Sequence, residues 1–220
     1  WGIARTMDKR KIETLVVATR NKGKAIEFRE MLAPLGINVL SLLDFPDGAV
    51  PDVVEDGNTF RENAEKKARS AAQALGRPAL ADDSGLCVDA LGGKPGVHSA
   101  RYAGEGATDS KNNEKLLREL TALGKGETLA DGVISLGPAS FVCVLALHDP
   151  ETGNTLFAEG SCDGVIISGE RGTGGFGYDP LFYVPDLKKT FAELDAAEKN
   201  RLSHRGKALR ELSLLLQELN

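Results

Sequence analysis

The stretch that decides the fold is residues 14–35, TLVVATRNKGKAIEFREMLAPL. It opens with a β-branched apolar run, Thr14–Thr19, and passes through a polar turn into a segment of different periodicity. The apolar residues of that segment recur at i, i+3, i+4 and i+7, as Phe28, Met31, Leu32 and Leu35. The pattern predicts a strand, a tight turn and an amphipathic helix.

Strand-like and helix-like segments alternate through the rest of the chain. Short apolar or β-branched runs predict strands at 37–42, 79–83, 86–91, 141–148, 155–159, 165–167 and 181–184. Helical periodicity predicts helices at 59–75 and 108–123 and from residue 203 to the end. Residues 44–56 are predicted to be a loop, and residues 149–154 the loop of a hairpin. The predicted fold class is α/β with a mixed sheet.

Composition excludes several classes of protein. The chain has 220 residues, 41% hydrophobic and 27% charged, which is typical of a globular protein. Its net charge of −5 argues against a nucleic-acid partner, whose phosphates would demand many basic residues. No apolar run approaches the roughly 20 residues that cross a bilayer, and no signal peptide is recognisable. We therefore expect a soluble, cytoplasmic protein with no membrane partner.

The cysteines and the N-terminus give two minor expectations. Cys87, Cys143 and Cys162 fit neither a zinc pattern nor a disulfide framework, so we expect reduced thiols that act as small apolar residues. Met7 lies a little inside the chain. We expect residues 1–6 to be an added segment or the product of an alternative start, and they are left out of the fold prediction.

The first candidate site is the turn between the first strand and the first helix. It consists of Thr19, Arg20, Asn21, Lys22, Gly23 and Lys24. Free backbone N–H groups at a helix N-terminus favour an anion, and the lysines would add charge. The alternative is an ordinary turn with solvated lysines. The G-x-x-x-x-G-K-[ST] motif of P-loop enzymes is absent from the whole sequence.

The second candidate is the pair of adjacent carboxylates Asp82 and Asp83, which ends an apolar run and precedes Gly85 near a predicted turn. Successive side chains of a strand face opposite sides, so the two aspartates should have different roles. Glu55 and Asp56 form another acidic pair. Oxygen ligands from two such places suit Mg²⁺ better than zinc. The alternative is that these acids only cap helices and turns.

The third candidate is the glycine-rich segment Gly172–Pro180, GTGGFGYDP. It contains G-x-G-x-x-G, but the dinucleotide-binding form of that motif must open a helix, and Pro180 with the extended run after it argues against one. We instead predict a loop in which Phe176 or Tyr178 stacks on a planar ring. An irregular structural loop is the alternative.

The fourth candidate is Ser203-His204-Arg205-Gly206 at the start of the last helix, with Lys199 just upstream. Cationic side chains and free N–H groups together could receive an anion or a carbonyl. A His-Arg pair on a surface helix would otherwise be solvated.

Together these segments resemble the Ham1 family of inosine triphosphate pyrophosphatases. The resemblance extends from about Leu15 to the C-terminus. It rests, in family order, on residues 19–24, GNTFRENA at 57–64, ADDSGL at 81–86, PGVHSARY at 95–102, Gly172–Pro180 and SHRG at 203–206.

The resemblance implies a two-lobed α/β fold with a long central mixed sheet flanked by helices, an active-site cleft between the lobes, and a homodimer. Residues 14–220 would be a single nucleoside triphosphate pyrophosphatase domain, and residues 1–13 an N-terminal extension. Asp83 would be the general base and a Mg²⁺ ligand, with Glu55 as the second ligand. The substrate contacts would be Thr19, Arg20, Asn21, Lys22, Gly23, Lys24, Ser84, Phe176, Gly177, Tyr178, Asp179, Lys199, His204 and Arg205.

The activity this implies is Mg²⁺-dependent hydrolysis of ITP, dITP and XTP to the monophosphate and pyrophosphate. Donors opposite the purine 6-position would accept a 6-oxo group and reject the adenine amino group by roughly 10³–10⁵-fold. His204 and Arg205 are the predicted donors. Two alternatives stay open: a related pyrophosphatase acting on pyrimidine nucleotides, and a nucleotide-binding sensor without turnover.

Overall fold

The computed structural model describes residues 12–218. The expectation for residues 1–6 therefore lies outside the described residues, as does Leu219 of the predicted last helix. Within residues 12–218, no helix is long and apolar enough to cross a membrane. All three cysteines are free, and Cys143 and Cys162 are buried, which confirms that they act as small apolar residues.

The described residues contain five α-helices and eight strands, joined by loops and short 3-10 turns. The helices are α1 (Lys22–Leu32), α2 (Phe60–Leu75), α3 (Asp109–Ala122), α4 (Ala196–Leu202) and α5 (His204–Gln217). The strands are β1 (Thr14–Val17), β2 (Asn38–Ser41), β3 (Ala79–Val88), β4 (Glu127–Thr128), β5 (Ile134–His148), β6 (Thr155–Ile167), β7 (Phe182–Val184) and β8 (Lys189–Thr190).

The strands form one mixed sheet in the order β2-β1-β3-β5-β6-β7-β8, and β4 pairs with β5. Strand β1 pairs in parallel with β2 and with β3. The pairs β4–β5, β6–β7 and β7–β8 are antiparallel. The predicted α/β class and mixed sheet are confirmed, as is the strand, turn and helix of residues 14–32.

The structure corrects the prediction of two strands separated by a turn at Asp83-Ser84-Gly85. Strand β3 runs unbroken from Ala79 to Val88. The carboxylates can occupy a buried strand because lysine side chains lie within ion-pair distance of both: Lys24 for Asp82 and Lys67 for Asp83. Tertiary ion pairs thus override a local sequence that favours a turn.

Other boundaries also differ from the predictions. Strand β5 begins at Ile134 rather than Phe141, and the run at 165–167 is the end of β6 rather than a separate strand. Helix α4 has no counterpart among the predicted elements. Its seven residues are too few to display a clear apolar period.

The described chain divides into two compact units. Unit 1 comprises the residues up to Asp83, residues 143–160 and the residues from Arg205 onward, and unit 2 comprises residues 84–142 and 161–204. Strands β3, β5 and β6 contribute residues to both. The single domain over residues 14–220 stays a prediction.

Unit 1 has two apolar clusters. One joins α1 and α5 to strands of the sheet through side chains such as Phe28, Leu145 and Leu209. The other is lined by the alanines of α2, and Ala64, Ala68, Ala71 and Ala72 are all fully buried in it. Small side chains allow the helix to pack closely on the sheet, as the alanine stripe predicts.

The core of unit 2 is aromatic. The rings of Phe141, Phe182 and Phe191 lie 4.4–5.4 Å apart between centroids, within the range of favourable aromatic pairs. Leu116 and Leu120 of α3 pack into the same cluster. The glycine-rich loop that follows β6 is therefore supported by a rigid core.

Candidate active site

The turn between β1 and α1 is held by its own polar side chains. Asn21 is the N-cap of α1, and its Oδ1 accepts a hydrogen bond from Lys24 N at 3.1 Å. Thr19 Oγ1 accepts one from Asn21 N, also at 3.1 Å. No acidic residue lies in the first turn of the helix, so its positive dipole end is not offset there. The structure thus gives the turn the form expected of an anion site.

The basic side chains of this turn have different environments. Arg20 donates to Val50 O at 3.0 Å and pairs with Asp52 at 3.1 Å, which ties the turn to the loop that leads to Glu55. Lys24 Nζ lies 3.3 Å from Asp82 Oδ1. Lys22 is exposed, and Gly23 is half-buried.

Asp82 lies in a buried ionic network. Its Oδ2 is 3.4 Å from both Nε and Nη2 of Arg205, whose Nη1 donates to Glu27. Burial lowers the pKa of Arg205, but Asp82 and Glu27 outweigh that effect and raise it, so the guanidinium stays charged. Arg205 is 2% exposed, and the structure therefore places this predicted base donor among carboxylates.

Asp83, the next residue along β3, has a different environment. Its Oδ1 lies 3.7 Å from Lys67 Nζ, and its Oδ2 is buried with no hydrogen-bond partner among the described residues. Burial, reinforced by the charges of Glu55 and Asp82, raises its pKa to about 6 against the opposing lysines. A carboxylate in this state is poised to accept a proton near neutral pH.

Lys67 is a functional candidate that the sequence analysis missed. Its Nζ contacts Glu55 at 2.7 Å and donates to Asp82 O at 2.6 Å. Burial lowers its pKa, yet Asp82, Asp83 and Glu55 together raise it, so it stays a cation. The available signal was its position on α2, three residues after Ala64 and four before Ala71, which puts a lysine on the buried alanine face.

The residues around Lys67 could take part in binding a metal ion. No group of three or more His, Cys, Asp or Glu side chains is placed to hold a metal within residues 12–218. Mg²⁺ needs less, because it commonly binds one or two carboxylates and takes its other ligands from water and substrate phosphates. Glu55 and Asp83 both lie within ion-pair distance of one cation, Lys67, and Asp83 Oδ2 has unused acceptor capacity. This donor set fits Mg²⁺.

The glycine-rich loop of unit 2 is closed by Asp179. Its Oδ2 accepts from Phe176 N at 3.1 Å and from Lys199 Nζ at 2.7 Å. Gly175 has a positive φ of 67°, and a Cβ there would clash with that oxygen, so only glycine fits. A 3-10 turn and then β7 follow the loop. The absence of a helix directly after it confirms that it is not a dinucleotide-binding motif.

The two aromatic residues of the loop differ in exposure. Tyr178 is 5% exposed, its ring belongs to the core of unit 2, and its hydroxyl donates to Ser99 O at 2.6 Å. Phe176 is half-buried, and Lys199 Nζ lies 4.7 Å from its ring centroid. Of the two, Phe176 therefore has more ring surface available for a planar ligand.

The remaining predicted residues lie on regular elements. Ser84 is half-buried on β3. His204 begins α5 and is 4% exposed, and its ring stacks on Phe141 at 4.7 Å with an interplanar angle of 14°. Lys199, on α4, is buried.

Comparisons with known proteins show which family the chain belongs to. A sequence model of the Ham1 family matches residues 15–214. The chain is 52% identical over 209 residues to the dITP/XTP pyrophosphatase of Geobacillus kaustophilus, covering 94% of this chain and 96% of that one. It is 54% identical to the Geobacter sulfurreducens dITP/XTP pyrophosphatase over 195 residues, 89% and 92% of the two chains.

A solved structure of a Ham1 protein is similar to this chain in both sequence and fold. The Ham1 protein of Coxiella burnetii is 45% identical and superposes with a TM-score of 0.78 over 93% of this chain and 98% of its own. The polar turn, the aspartate pair and the glycine loop predicted from sequence are thus found in a chain whose sequence and fold both match one family. The protein belongs to the Ham1 family.

Proposed function

We propose that this protein is a nucleoside triphosphate pyrophosphatase that hydrolyses the non-canonical purine nucleotides dITP, XTP and ITP to the monophosphate and pyrophosphate. Two relatives more than 50% identical over about nine-tenths of the chain are named dITP/XTP pyrophosphatases, which supports the substrate class. The observation that carries the proposal is Asp83, a buried carboxylate that lies beside Lys67 and has one oxygen without a hydrogen-bond partner among the described residues.

In this proposal Asp83 accepts the proton of the water that attacks the α-phosphorus. A general base works best when its pKa lies near the working pH, and a pKa of about 6 meets that condition. The leaving group is pyrophosphate, so no covalent intermediate with the protein is required. Catalysis of such displacements depends mainly on alignment and electrostatic stabilisation.

The cations of unit 1 bind the triphosphate. Lys24 and Lys67 neutralise phosphate charge, and the backbone N–H groups at the start of α1 donate hydrogen bonds to phosphate oxygens. Asp82 contacts Lys24 and Arg205 and keeps both side chains in place. The two aspartates of β3 therefore have different roles: Asp83 accepts the proton, and Asp82 holds Lys24 and Arg205 in position.

We propose Mg²⁺ as the cofactor, held by Asp83 and Glu55. When bound, the ion supplies charge neutralisation for the phosphates and polarises the water. Lys67 contacts both carboxylates, and in the proposed complex it turns from them to a phosphate oxygen.

Unit 2 binds the base. Phe176 offers a half-buried aromatic face, and the side chains of Lys199 and His204 are contacts carried over from the family. A purine with a 6-oxo group is accepted where adenine would place an amino group against donors. On family resemblance we also propose a homodimer that works in the cytoplasm.

The test is product analysis with ITP, dITP, XTP, GTP, ATP and dTTP, with and without Mg²⁺, resolving pyrophosphate from orthophosphate. The proposal predicts pyrophosphate from ITP, dITP and XTP, loss of activity without Mg²⁺, and loss in Asp83→Asn. Faster hydrolysis of dTTP would instead indicate a pyrimidine nucleotide pyrophosphatase. Tight binding without turnover would indicate a sensor.

A further inference from the structure

Helix α3 holds the backbone of the glycine-rich loop from both sides of one residue. Gly177 N donates to Asp109 Oδ2 at 2.9 Å, and Gly177 O accepts from Asn113 Nδ2 at 3.2 Å. Asp109 and Asn113 lie one turn apart on α3, 68 and 64 residues away from Gly177 in sequence. Both backbone polar groups of Gly177 are thus bonded to side chains of one helix.

Asn113 is held in place by burial and by a second hydrogen bond. It is 4% exposed, and its Nδ2 also donates to Glu170 Oε1 at 3.0 Å, at the other end of the loop. Its Oδ1 is buried and has no hydrogen-bond partner among residues 12–218. The opposite amide orientation would point Oδ1 at two acceptors, so the two acceptors fix the orientation.

A buried polar atom without a partner is destabilising, and native proteins carry few of them. A smaller or apolar residue at position 113 would avoid that penalty but would leave both Gly177 O and Glu170 without this donor. Asn113 therefore donates to both ends of the loop, while its own Oδ1 is left without a hydrogen-bond partner among the described residues.

The loop has other supports besides α3. Asp179 Oδ2 accepts from Lys199 Nζ on α4, and the ring of Tyr178 lies in the core of unit 2. Gly177 itself has φ +61°, a conformation that side-chain-bearing residues rarely adopt. The bonds from Asp109 and Asn113 fix this residue against α3.

We propose that Asp109 and Asn113 are positioning residues for base recognition: they fix Gly177, and through it the plane of Phe176, against α3. This inference rests on the proposed function, in which Phe176 contacts the base. Asn113 should contribute more than Asp109 to fixing Gly177, because the side chain of Asn113 is buried whereas that of Asp109 is exposed. Neither residue needs to touch the substrate.

The test uses Asn113→Ala and Asn113→Asp, with the exposed Glu114→Gln on the same helix as the matched control. Asn113→Asp keeps the shape but places acceptors against Gly177 O and Glu170, so it should loosen the loop more than Asn113→Ala. If Asn113→Asp does not fold, Asn113→Ala alone decides the question.

The first readout is hydrogen exchange of the peptide covering residues 172–183, compared with the peptides of α2 and β3. We expect exchange in the loop to be faster by about tenfold in Asn113→Ala, the size expected when one buried hydrogen bond is lost, with α2 unchanged. Glu114→Gln should match the wild type. Unchanged exchange in the loop of Asn113→Ala would overturn the proposal.

The second readout is selectivity. We expect kcat/KM for XTP to fall about tenfold, mainly through KM, and its ratio to kcat/KM for GTP to shrink, while inhibition by inorganic tripolyphosphate stays the same. A loosened loop with an unchanged ratio would overturn the role in base recognition. A wild-type enzyme that releases no pyrophosphate would refute the proposed function instead, and the exchange experiment would still decide whether Asn113 holds the loop.

Discussion

The two units present different chemistry to a ligand. In unit 1 the candidate site consists of ionised side chains on regular elements: Lys24 on α1, Lys67 on α2, Asp82 and Asp83 on β3, and Arg205 on α5. In unit 2 it consists of loop backbone and one half-buried aromatic ring. Fixed charges suit a triphosphate, whereas backbone groups and a flat apolar face suit a base. This difference is the basis for the proposal that unit 1 binds the triphosphate and unit 2 the base.

The same contrast occurs on a smaller scale between adjacent residues. Asp82 and Asp83 have the same side chain, but alternation along β3 directs one to Lys24 and Arg205 and the other to Lys67. Asp82 is surrounded by cations, whereas Asp83 retains an oxygen without a hydrogen-bond donor. The first is held in an ionic network, and the second is the proposed general base.

Asp83→Asn should give the largest effect, because it removes the base while keeping the shape. We expect kcat to fall by about 10³-fold with little change in KM, within the range for loss of general-base catalysis. Steady-state pyrophosphate release from XTP measures both constants. A variant with more than a tenth of wild-type kcat would show that Asp83 is not the base.

Arg205→Met should be the most destabilising substitution in unit 1. It leaves Glu27 and Asp82 buried without their shared cation, which costs about 3–5 kcal/mol of unfolding free energy. Urea unfolding measures the change, and the exposed Arg210→Met on the same helix should change stability by less than about 0.5 kcal/mol. Equal effects would show that the buried network is not stabilising.

Asp83→Asn should also change stability with pH. Burial raises the pKa of Asp83 to about 6 in the folded protein from an ordinary value of 3.8, so the folded state binds the proton more tightly. The stability that this proton contributes is fully present below pH 3.8 and is lost as the pH rises through 6, a decrease of about 3 kcal/mol in the free energy of unfolding. The variant should therefore be more stable than wild type at pH 7.5, by an amount that shrinks towards pH 4. Urea unfolding at both pH values tests this, and no gain at pH 7.5 would contradict it.

Lys67→Met should lower kcat/KM about 10²-fold for every nucleotide, because it removes a phosphate partner and leaves Glu55 and Asp83 to repel each other. Lys66→Met is the matched control, since the neighbouring Lys66 pairs only with the exposed Asp56 among the contacts described. Initial rates with XTP and GTP compare the two. A similar loss of kcat/KM in Lys66→Met would mean that the loss comes from the change in net charge and not from the position of Lys67.

Much of this contrast could be predicted from sequence. The turn at Thr19–Lys24 and the alanine face of α2 follow from local periodicity, and both are confirmed. The opposite orientations of Asp82 and Asp83 follow from strand alternation.

What could not be predicted depends on distant partners. Arg205 meets Glu27 and Asp82 across 178 and 123 residues of sequence, so nothing near it indicates that it is buried. Lys67 was overlooked because a helix lysine is usually solvated. The continuity of β3 depends on Lys24 and Lys67, which lie outside the strand.

The proposed division between phosphate binding in unit 1 and base binding in unit 2 is tested most directly by two measurements in Lys67→Met and Phe176→Leu: kcat/KM for XTP, and inhibition by inorganic tripolyphosphate. Lys67→Met should lower kcat/KM and also weaken the inhibition, because both ligands carry the phosphates. Phe176→Leu should lower kcat/KM about tenfold, as expected for loss of one aromatic stacking contact, and leave the inhibition at the wild-type value. Unchanged inhibition in Lys67→Met together with weakened inhibition in Phe176→Leu would contradict the account.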